Sequence, residues 1–339
     1  MSALSLLETL DGIRRVYQVC VDLQAGERVL LLTDTRYDAE LVGAFALVAR
    51  DMGAEPVVTT FEPRRIPGEA PPAAAGAAMK AADVILELTS QFAGSSRARV
   101  EACQAGARYL VLTQLTRANL IRGGAMWADF QSIKPLADRL ADHFTKADTV
   151  RFTTQAGTDL VASIKERKGR SLVGLARTKG GYAAPPDIEV GTAPVEGTAN
   201  GLVVVDAALL LMAEGLLREP IRITVRDGVA TAIDGVEAYP LVNMIRQCGN
   251  LPEMYNLAEM SIGLNPAAHV TGAVLETEGS LGTAHVALGN NLAYGGHTDA
   301  PGHLDCVMRD VTVYLDGECV VDAGKLVADP SALSVLAHP

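Results

Sequence analysis

The feature that most constrains this chain is a regular alternation of short apolar runs and amphipathic stretches through its first 147 residues. Arg28-Val-Leu-Leu-Leu-Thr33 is an unbroken apolar run, which suits a parallel strand buried on both faces. Asp34 and Thr35 follow, and a helix is expected over 38–52. The cycle repeats with a strand over 56–61, an Ala-rich helix over 72–82 and a strand over 83–88. It repeats again with a helix over 96–105, a strand over 108–113 and a helix over 133–146. Ahead of these, residues 1–26 set Leu6, Leu10, Ile13, Val16 and Cys20 on one face of a helix. Alternation at this spacing implies a doubly wound parallel sheet.

The pattern changes near Asp148. Thr149-Val-Arg-Phe-Thr-Thr154 alternates apolar and polar residues, as a half-exposed antiparallel strand does, and Ala156-Gly157-Thr158-Asp159 turns it into a return strand over 160–164. A second hairpin spans 221–233 with an Asp227-Gly228 turn, and a third spans 311–321 with Asp316-Gly317 at its tip. One long helix is expected in this half, over 236–248. The 339 residues thus divide into a Rossmann-like α/β domain, 1–147, and a mainly antiparallel α+β domain, 148–339. The first domain carries neither G-x-G-x-x-G after its first strand nor a Walker loop, and Thr33-Asp34-Thr35 has no glycine to admit a pyrophosphate. It reads as scaffold and lid. The charged segment Lys165-Glu-Arg-Lys-Gly-Arg170 reads as a solvated turn, with a phosphate site as the alternative.

A formal net charge of -11 argues against nucleic acid or anionic lipid as the main partner, because both require a positive face. It is compatible with a cation site built from carboxylates. The five cysteines are dispersed, with no C-x-x-C pair, as reduced thiols of a cytoplasmic protein would be. The N-terminal segment lacks the basic and apolar regions of a signal peptide, and the longest apolar run, 201–211, contains Asp206 and is too short to span a bilayer.

Histidine is rare, six in all, yet His269, His285, His297 and His303 fall in one glycine-dense span. Core packing explains such a cluster poorly, whereas metal binding explains it well. His303 and Asp305 are two apart, so on a strand they leave from one face as a metal half-site. A metal needs three or four protein ligands. His285 projects from the alternating strand Gly282-Thr283-Ala284-His285-Val286-Ala287. Glu259 is a carboxylate inside an apolar strand, which costs several kcal/mol unless it is paired or bound to a cation. Glu189 is flanked by Ile188 and Val190 after a Pro-rich turn.

Ile188-Glu189-Val190-Gly191-Thr192-Ala193-Pro194, Ala258-Glu259, the segment from Gly282 to Gly289, and His303-Leu304-Asp305 resemble, in order, the metal-binding segments of the aminopeptidase T family. That resemblance implies a dimeric two-metal exopeptidase in which Glu189, Glu259, His285, His303 and Asp305 hold two divalent ions. The family's tyrosine, seven residues after the first histidine, falls on Leu292, with Tyr294 nearby. A second resemblance is to the 2,5-dihydroxypyridine 5,6-dioxygenase family, carried by the chain length, by Tyr255 to Pro266 and by the tail from Gly302 to Gly324. It implies the same fold around one Fe(II) held by two histidines and an aspartate. Glu259 stands where that family has its first histidine, and Glu189 and His285 have no counterpart there.

The intact set of five ligands favours a metallohydrolase acting on the C–N bond of a small amide or an N-terminal peptide, with two ions (Zn, Co, Mn or Fe) activating water. One of Glu189 and Glu259 is then the candidate general base, and Tyr294 or His297 the candidate donor to the oxyanion. The alternative is a mononuclear Fe(II) ring-cleaving dioxygenase using His303, Asp305 and either Glu259 or His285. Expected partners are a small molecule or short peptide and a second copy of the chain, with neither nucleic acid nor membrane.

Overall fold

A computed structural model describes residues 6–327. In chain order its strands begin with β1 (Arg28–Asp34), β2 (Glu55–Phe61), β3 (Val84–Leu88), β4 (Arg108–Val111), β5 (Thr149–Thr153) and β6 (Asp159–Ser163). They continue with β7 (Arg170–Leu172), β8 (Tyr182–Ala183), β9 (Glu189–Thr192), β10 (Asn200–Val205), β11 (Ala208–Leu209), β12 (Ile221–Arg226) and β13 (Val229–Asp234). The last are β14 (Leu257–Gly263), β15 (Thr283–Gly289), β16 (His303–Arg309), β17 (Thr312–Leu315), β18 (Glu318–Asp322) and β19 (Lys325–Leu326). The α-helices are α1 (Leu6–Arg15), α2 (Ala39–Asp51), α3 (Ala73–Ala81), α4 (Arg97–Gln104), α5 (Arg117–Leu120), α6 (Phe130–Lys146), α7 (Tyr239–Gln247) and α8 (Val274–Gly279).

The chain falls into two units. One comprises the residues up to Phe130 together with Val173–Pro186. Its five-stranded sheet has the order β2-β1-β3-β4-β8, parallel throughout. The apolar runs of β1 and β3 are buried because both faces of the sheet are covered. Asp38 starts α2 by accepting hydrogen bonds from the amides of Glu40 and Leu41. The expected first helix is shorter than its apolar stripe: α1 passes into a π-helical turn at Val16–Cys20, and the chain leaves helix beyond it. Ile13, Val16 and Cys20 are buried as the stripe requires, while Leu6 and Leu10 are half-buried. Residues 1–5 of that expected helix lie outside the described residues.

The other unit comprises Gln131–Leu172 and the chain from Asp187 onward. It holds two antiparallel sheets, of order β13-β12-β10-β6-β5-β17-β18-β19 and β11-β16-β15-β14-β9-β7. All three expected hairpins are present. The fold is thus a parallel α/β unit and a mainly antiparallel one. A single cut between residues 147 and 148 does not describe the division. Nearly all of α6 belongs to the second unit, and 173–186 returns to the first because β8 pairs with β4 in parallel. Two residues of strand in a glycine-rich segment leave too little periodicity to read from sequence.

Candidate metal centre

Four neighbouring strands of the six-stranded sheet build the site. Glu189 lies opposite Gly263, Gly191 opposite Ser261, Ser261 opposite His285, and His285 opposite Val307. One step along, Glu259 lies opposite Ala287 and Ala287 opposite Asp305, and beyond them Gly289 lies opposite His303. A β-bulge between Leu257 and Glu259 brings Glu259 into this register. Residues two apart share a face, so Glu189, Glu259, His285, His303 and Asp305 all project from one side. Between them stand Gly191, Ser261, Gly263, Ala287 and Gly289. Small side chains across a face make a bowl where large ones would fill it. At Gly191 the room is fully used: a Cβ there would lie 1.9 Å from Ser261 Oγ and 2.5 Å from the carbonyl oxygen of Met260.

The five side chains close into two triads that share Glu259. One is Glu189, Glu259 and His285; the other is Glu259, His303 and Asp305; within each, one ligand atom per residue lies within 4.8 Å of the others. His285 Nε2 is 3.2 Å from Glu189 Oε2 and 3.5 Å from Glu259 Oε1. His303 Nε2 is 2.9 Å from Glu259 Oε2 and 3.2 Å from Asp305 Oδ1. His303 Nδ1 sits 2.7 Å from the carbonyl of Asn290, which can only accept, so that nitrogen carries the proton. The lone pair of neutral His303 is then on Nε2, facing the carboxylates, as a metal ligand's is. Ser261 donates its hydroxyl to Glu259 Oε1. His285 Nδ1 is buried and has no hydrogen-bond partner among the described residues.

Charge is the strongest argument for a cation here. Glu259 is 0% exposed and His285 1%. Burial pushes the Glu259 carboxyl up, but hydrogen bonds from His285 and His303 outweigh it and hold the group below the usual carboxylate range. Burial alone would lower both imidazoles; Glu189 and Glu259 beside His285, and Asp305 and Glu259 beside His303, raise them well above the ordinary histidine value. Two more buried acids adjoin the cluster, Asp187 and Glu278. Burial, reinforced by the neighbouring carboxylates, drives both well above the usual range. With Asp187 and Glu278 pushed toward their neutral forms, the three carboxyls of the triads, Glu189, Glu259 and Asp305, face two imidazoles, which supply at most two positive charges. A divalent ion with oxygen and imidazole ligands meets that excess, and the donor set fits such an ion. The number of histidines departs from the two-histidine, one-carboxylate arrangement usual for non-haem Fe(II), since each triad has one imidazole and two carboxylates.

Tyr294 lies at this site and Leu292 does not. The Tyr294 ring stacks on His303 with centroids 4.9 Å apart and planes at 5°, and the Arg170 guanidinium lies 4.3 Å from the Tyr294 centroid. Burial and the charges of Glu259 and Glu189 raise the Tyr294 hydroxyl well above its ordinary value. Leu292 is exposed. His297 is exposed too, and its backbone amide, 2.7 Å from Glu196 Oε1, makes the contact that holds its loop. His269 belongs to neither triad.

Three groups at the site were not singled out from the sequence. Asp187 stands two residues before Glu189, and Glu278 comes to the cluster because the end of α8 packs over Gly263. The 165–170 segment is the third: Lys165, Glu166 and Lys168 are exposed as a solvated turn requires, whereas two of its arginines turn inward. Arg167 is buried, donating to the carbonyl of Gly295 and to Glu196, and Arg170 covers Tyr294. A charge run reads the same whether its side chains face water or turn back over a loop.

Comparison with known proteins is consistent with this fold and redirects the chemistry. The sequence profile of the family described as NicX, 2,5-dihydroxypyridine 5,6-dioxygenase, matches residues 8–328. A 2,5-dihydroxypyridine 5,6-dioxygenase of Pseudomonas putida strain KT2440 is 28% identical over 193 residues, 54% of this chain and 55% of that protein. The match therefore spans about half the length of that relative. Among solved structures, the 2,5-dihydroxypyridine dioxygenase of Pseudomonas putida KT2440 superposes with a TM-score of 0.79 at 22% identity, covering 97% of this chain and 100% of that one. AmpT from Thermus thermophilus superposes with a TM-score of 0.69 at 15% identity, covering 96% and 100%. At these identities the structural likenesses establish the fold alone. The metallohydrolase expectation is overturned, because the family profile and the sequence relative are those of a ring-cleaving dioxygenase and the likeness to AmpT is one of fold. The expected count of two ions finds no support in the family match either. Shared carboxylate and histidine positions had favoured the peptidase, but a common fold places such residues in the same rows whatever reaction they serve. The chain belongs to the 2,5-dihydroxypyridine 5,6-dioxygenase family.

Proposed function

We propose that this protein is a mononuclear Fe(II) dioxygenase that opens a hydroxylated nitrogen heteroaromatic ring, with 2,5-dihydroxypyridine as the reference substrate. The observation that carries this reading is the family match over residues 8–328, joined to a triad of buried Glu259 and half-buried His303 and Asp305 on one face of the sheet. In it Glu259 O, His303 Nε2 and Asp305 O would hold the ion. When bound, the iron supplies the electron-transfer capacity that lets dioxygen react with a closed-shell aromatic ring.

The chain's own residues do the rest. The carbonyl of Asn290 fixes the His303 tautomer, and the Tyr294 ring stacked on the imidazole fixes its plane. Ser261 orients Glu259. Glu189 and His285 form the wall beside the triad, where His285 Nε2 holds Glu259 Oε1. Burial of these groups keeps competing water away from the reacting ring. His297 is left to its exposed loop. The same reading takes the protein as a cytoplasmic homodimer, supported by its dispersed cysteines and by resemblance; no described helix is long and apolar enough to cross a membrane.

Oxygen uptake tests this. Protein loaded with Fe(II) under argon and then mixed with air-saturated 2,5-dihydroxypyridine should consume one O2 per ring lost, and a chelator should abolish it. Indifference of the compound to the loaded protein, with no uptake, would refute the reading.

A further inference from the structure

Glu278 is a carboxyl group without a role in the geometry so far. It ends α8, the helix whose last turn lies against the site face of the sheet. Gly263 lacks a side chain where a Cβ would lie 2.5 Å from the Glu278 carbonyl and 2.3 Å from that of Ser280. The Thr283 hydroxyl donates to the Glu278 carbonyl over 3.0 Å and to that of Ser280 over 2.8 Å. These contacts fix the backbone of Glu278 over the row that holds Glu189.

Its side chain is more than nine-tenths buried, at 8% exposure, yet its carboxyl makes no hydrogen bond with any described residue. The charges it feels most are those of Asp305, His285, Glu189 and Glu259, which belong to both triads. Its oxygens are outside both triads, so it is not placed as a ligand. Unlike Asp187 Oδ1 and His285 Nδ1, they are not sealed from a small molecule. A buried carboxyl costs free energy until something hydrogen-bonds it. A molecule bound on the site face of the sheet, over which α8 ends, can supply that partner.

We propose that Glu278 is a substrate-binding residue whose carboxyl hydrogen-bonds a ring N–H or O–H of the heteroaromatic compound bound at the Glu259–His303–Asp305 triad. This rests on the reading of the site as a ring-cleaving one. It names the substrate class more closely: a ring with a proton donor beyond the groups that face the ion. Arrangement on a helix end, away from the ligand strands, lets Glu278 select the ring without contributing to ion affinity.

The test is anaerobic, so that binding is read without turnover. Fe(II)-loaded wild type, Glu278→Ala and Glu278→Gln are titrated with 2,5-dihydroxypyridine under argon, and Fe(II) affinity is measured separately for each. The expected result is Fe(II) affinity within about threefold of wild type for both variants, a Kd for the ring raised about 10- to 100-fold in Glu278→Ala, and partial recovery in Glu278→Gln. Thermal melts of the metal-free variants confirm that each is folded. An unchanged Kd in Glu278→Ala would overturn the proposal, and so would a loss of Fe(II) affinity as large as that of the ring, which would make Glu278 a ligand. Wild type that binds the ring but takes up no oxygen on admission of air would refute the dioxygenase reading alone, leaving Glu278 to be judged by the Kd values. Wild type that binds no ring would refute both.

Discussion

Replacing Glu259 by glutamine isolates the charge at the centre of the site. Glutamine has the volume of glutamate, so the strand face is not repacked. Its oxygen keeps the hydrogen bond from Ser261, and its amide nitrogen takes the place of the oxygen 2.9 Å from His303 Nε2, whose proton Asp305 Oδ1, 3.2 Å away, remains to accept. The folded chain loses one negative charge from a cluster of five carboxyls and two imidazoles, so metal-free stability changes little. A change of about 1 kcal/mol would move the melting temperature by roughly 2–4 °C. Ion binding responds differently, since Glu259 is the ligand shared by both triads. Loss even of a residue that only orients a ligand costs about 10- to 100-fold in metal affinity. Loss of the shared ligand is expected to cost at least about 100-fold, roughly 2.7 kcal/mol. Competition with a metallochromic chelator reads the affinity, and calorimetric melts read the fold. A Glu259→Gln protein that binds Fe(II) within threefold of wild type would refute the reasoning.

Other consequences follow from the same geometry. The carboxylates raise His285 and His303 well above the ordinary histidine value, so a binding ion must displace protons; affinity should rise with pH and fall as pH drops below those raised values, with about one or two protons released per ion. Titration calorimetry in two buffers of different ionisation enthalpy counts those protons, and a pH-independent affinity would contradict the prediction. Gly191→Ala should destabilise the protein by about 3 kcal/mol or more, because the new Cβ meets Ser261 and the backbone of β14 at 1.9–2.6 Å; a melt unchanged from wild type would show that the strands separate at no cost. In the parallel unit, the hydrogen bond from Arg28 holds the Asp83 carboxyl down at about 2. Its stabilisation is complete above the ordinary aspartate value and lost as pH falls through about 2, and its side-chain exposure of 36% limits it to under about 1 kcal/mol. Asp83→Asn should therefore lower stability slightly at pH 6 and by much less at pH 2, as urea melts at the two values would show.

Much of this molecule is legible in its sequence for physical reasons. The buried strands β1 and β3 announce themselves because both faces are covered and apolar residues run through their centres, and α2 begins at an aspartate whose side chain caps it. His303 and Asp305, two apart, had to share a face. Glu259 in an apolar strand had to have a partner, and it has three in Ser261, His285 and His303. Other parts were hidden by the same physics. Gly191 and Gly263 look like interruptions of a strand, and only the register shows that they clear room for Ser261 and α8. Glu278 precedes a glycine in a polar stretch, and nothing local distinguishes a helix end that faces a cluster from one that faces water. The division into units depends on β8, which is two residues long and finds its place by pairing with β4.

The reaction was the hardest to read. Ligand types constrain the charge and hardness of an ion more than they constrain its chemistry, and one fold carries both hydrolytic and oxidative relatives. Five ordered ligand matches pointed to the peptidase, whereas similarity spread over 8–328 pointed to the dioxygenase. A few residues shared at matching rows of a sheet weigh less than agreement along residues 8–328.

Diffraction at the iron absorption edge from crystals of the Fe(II)-loaded protein tests the central claim most directly. The account predicts one anomalous peak per chain, within bonding distance of carboxylate oxygens of Glu259 and Asp305 and of His303 Nε2. A peak held by Glu189 and His285 without His303, or none on this face of the sheet, would contradict it.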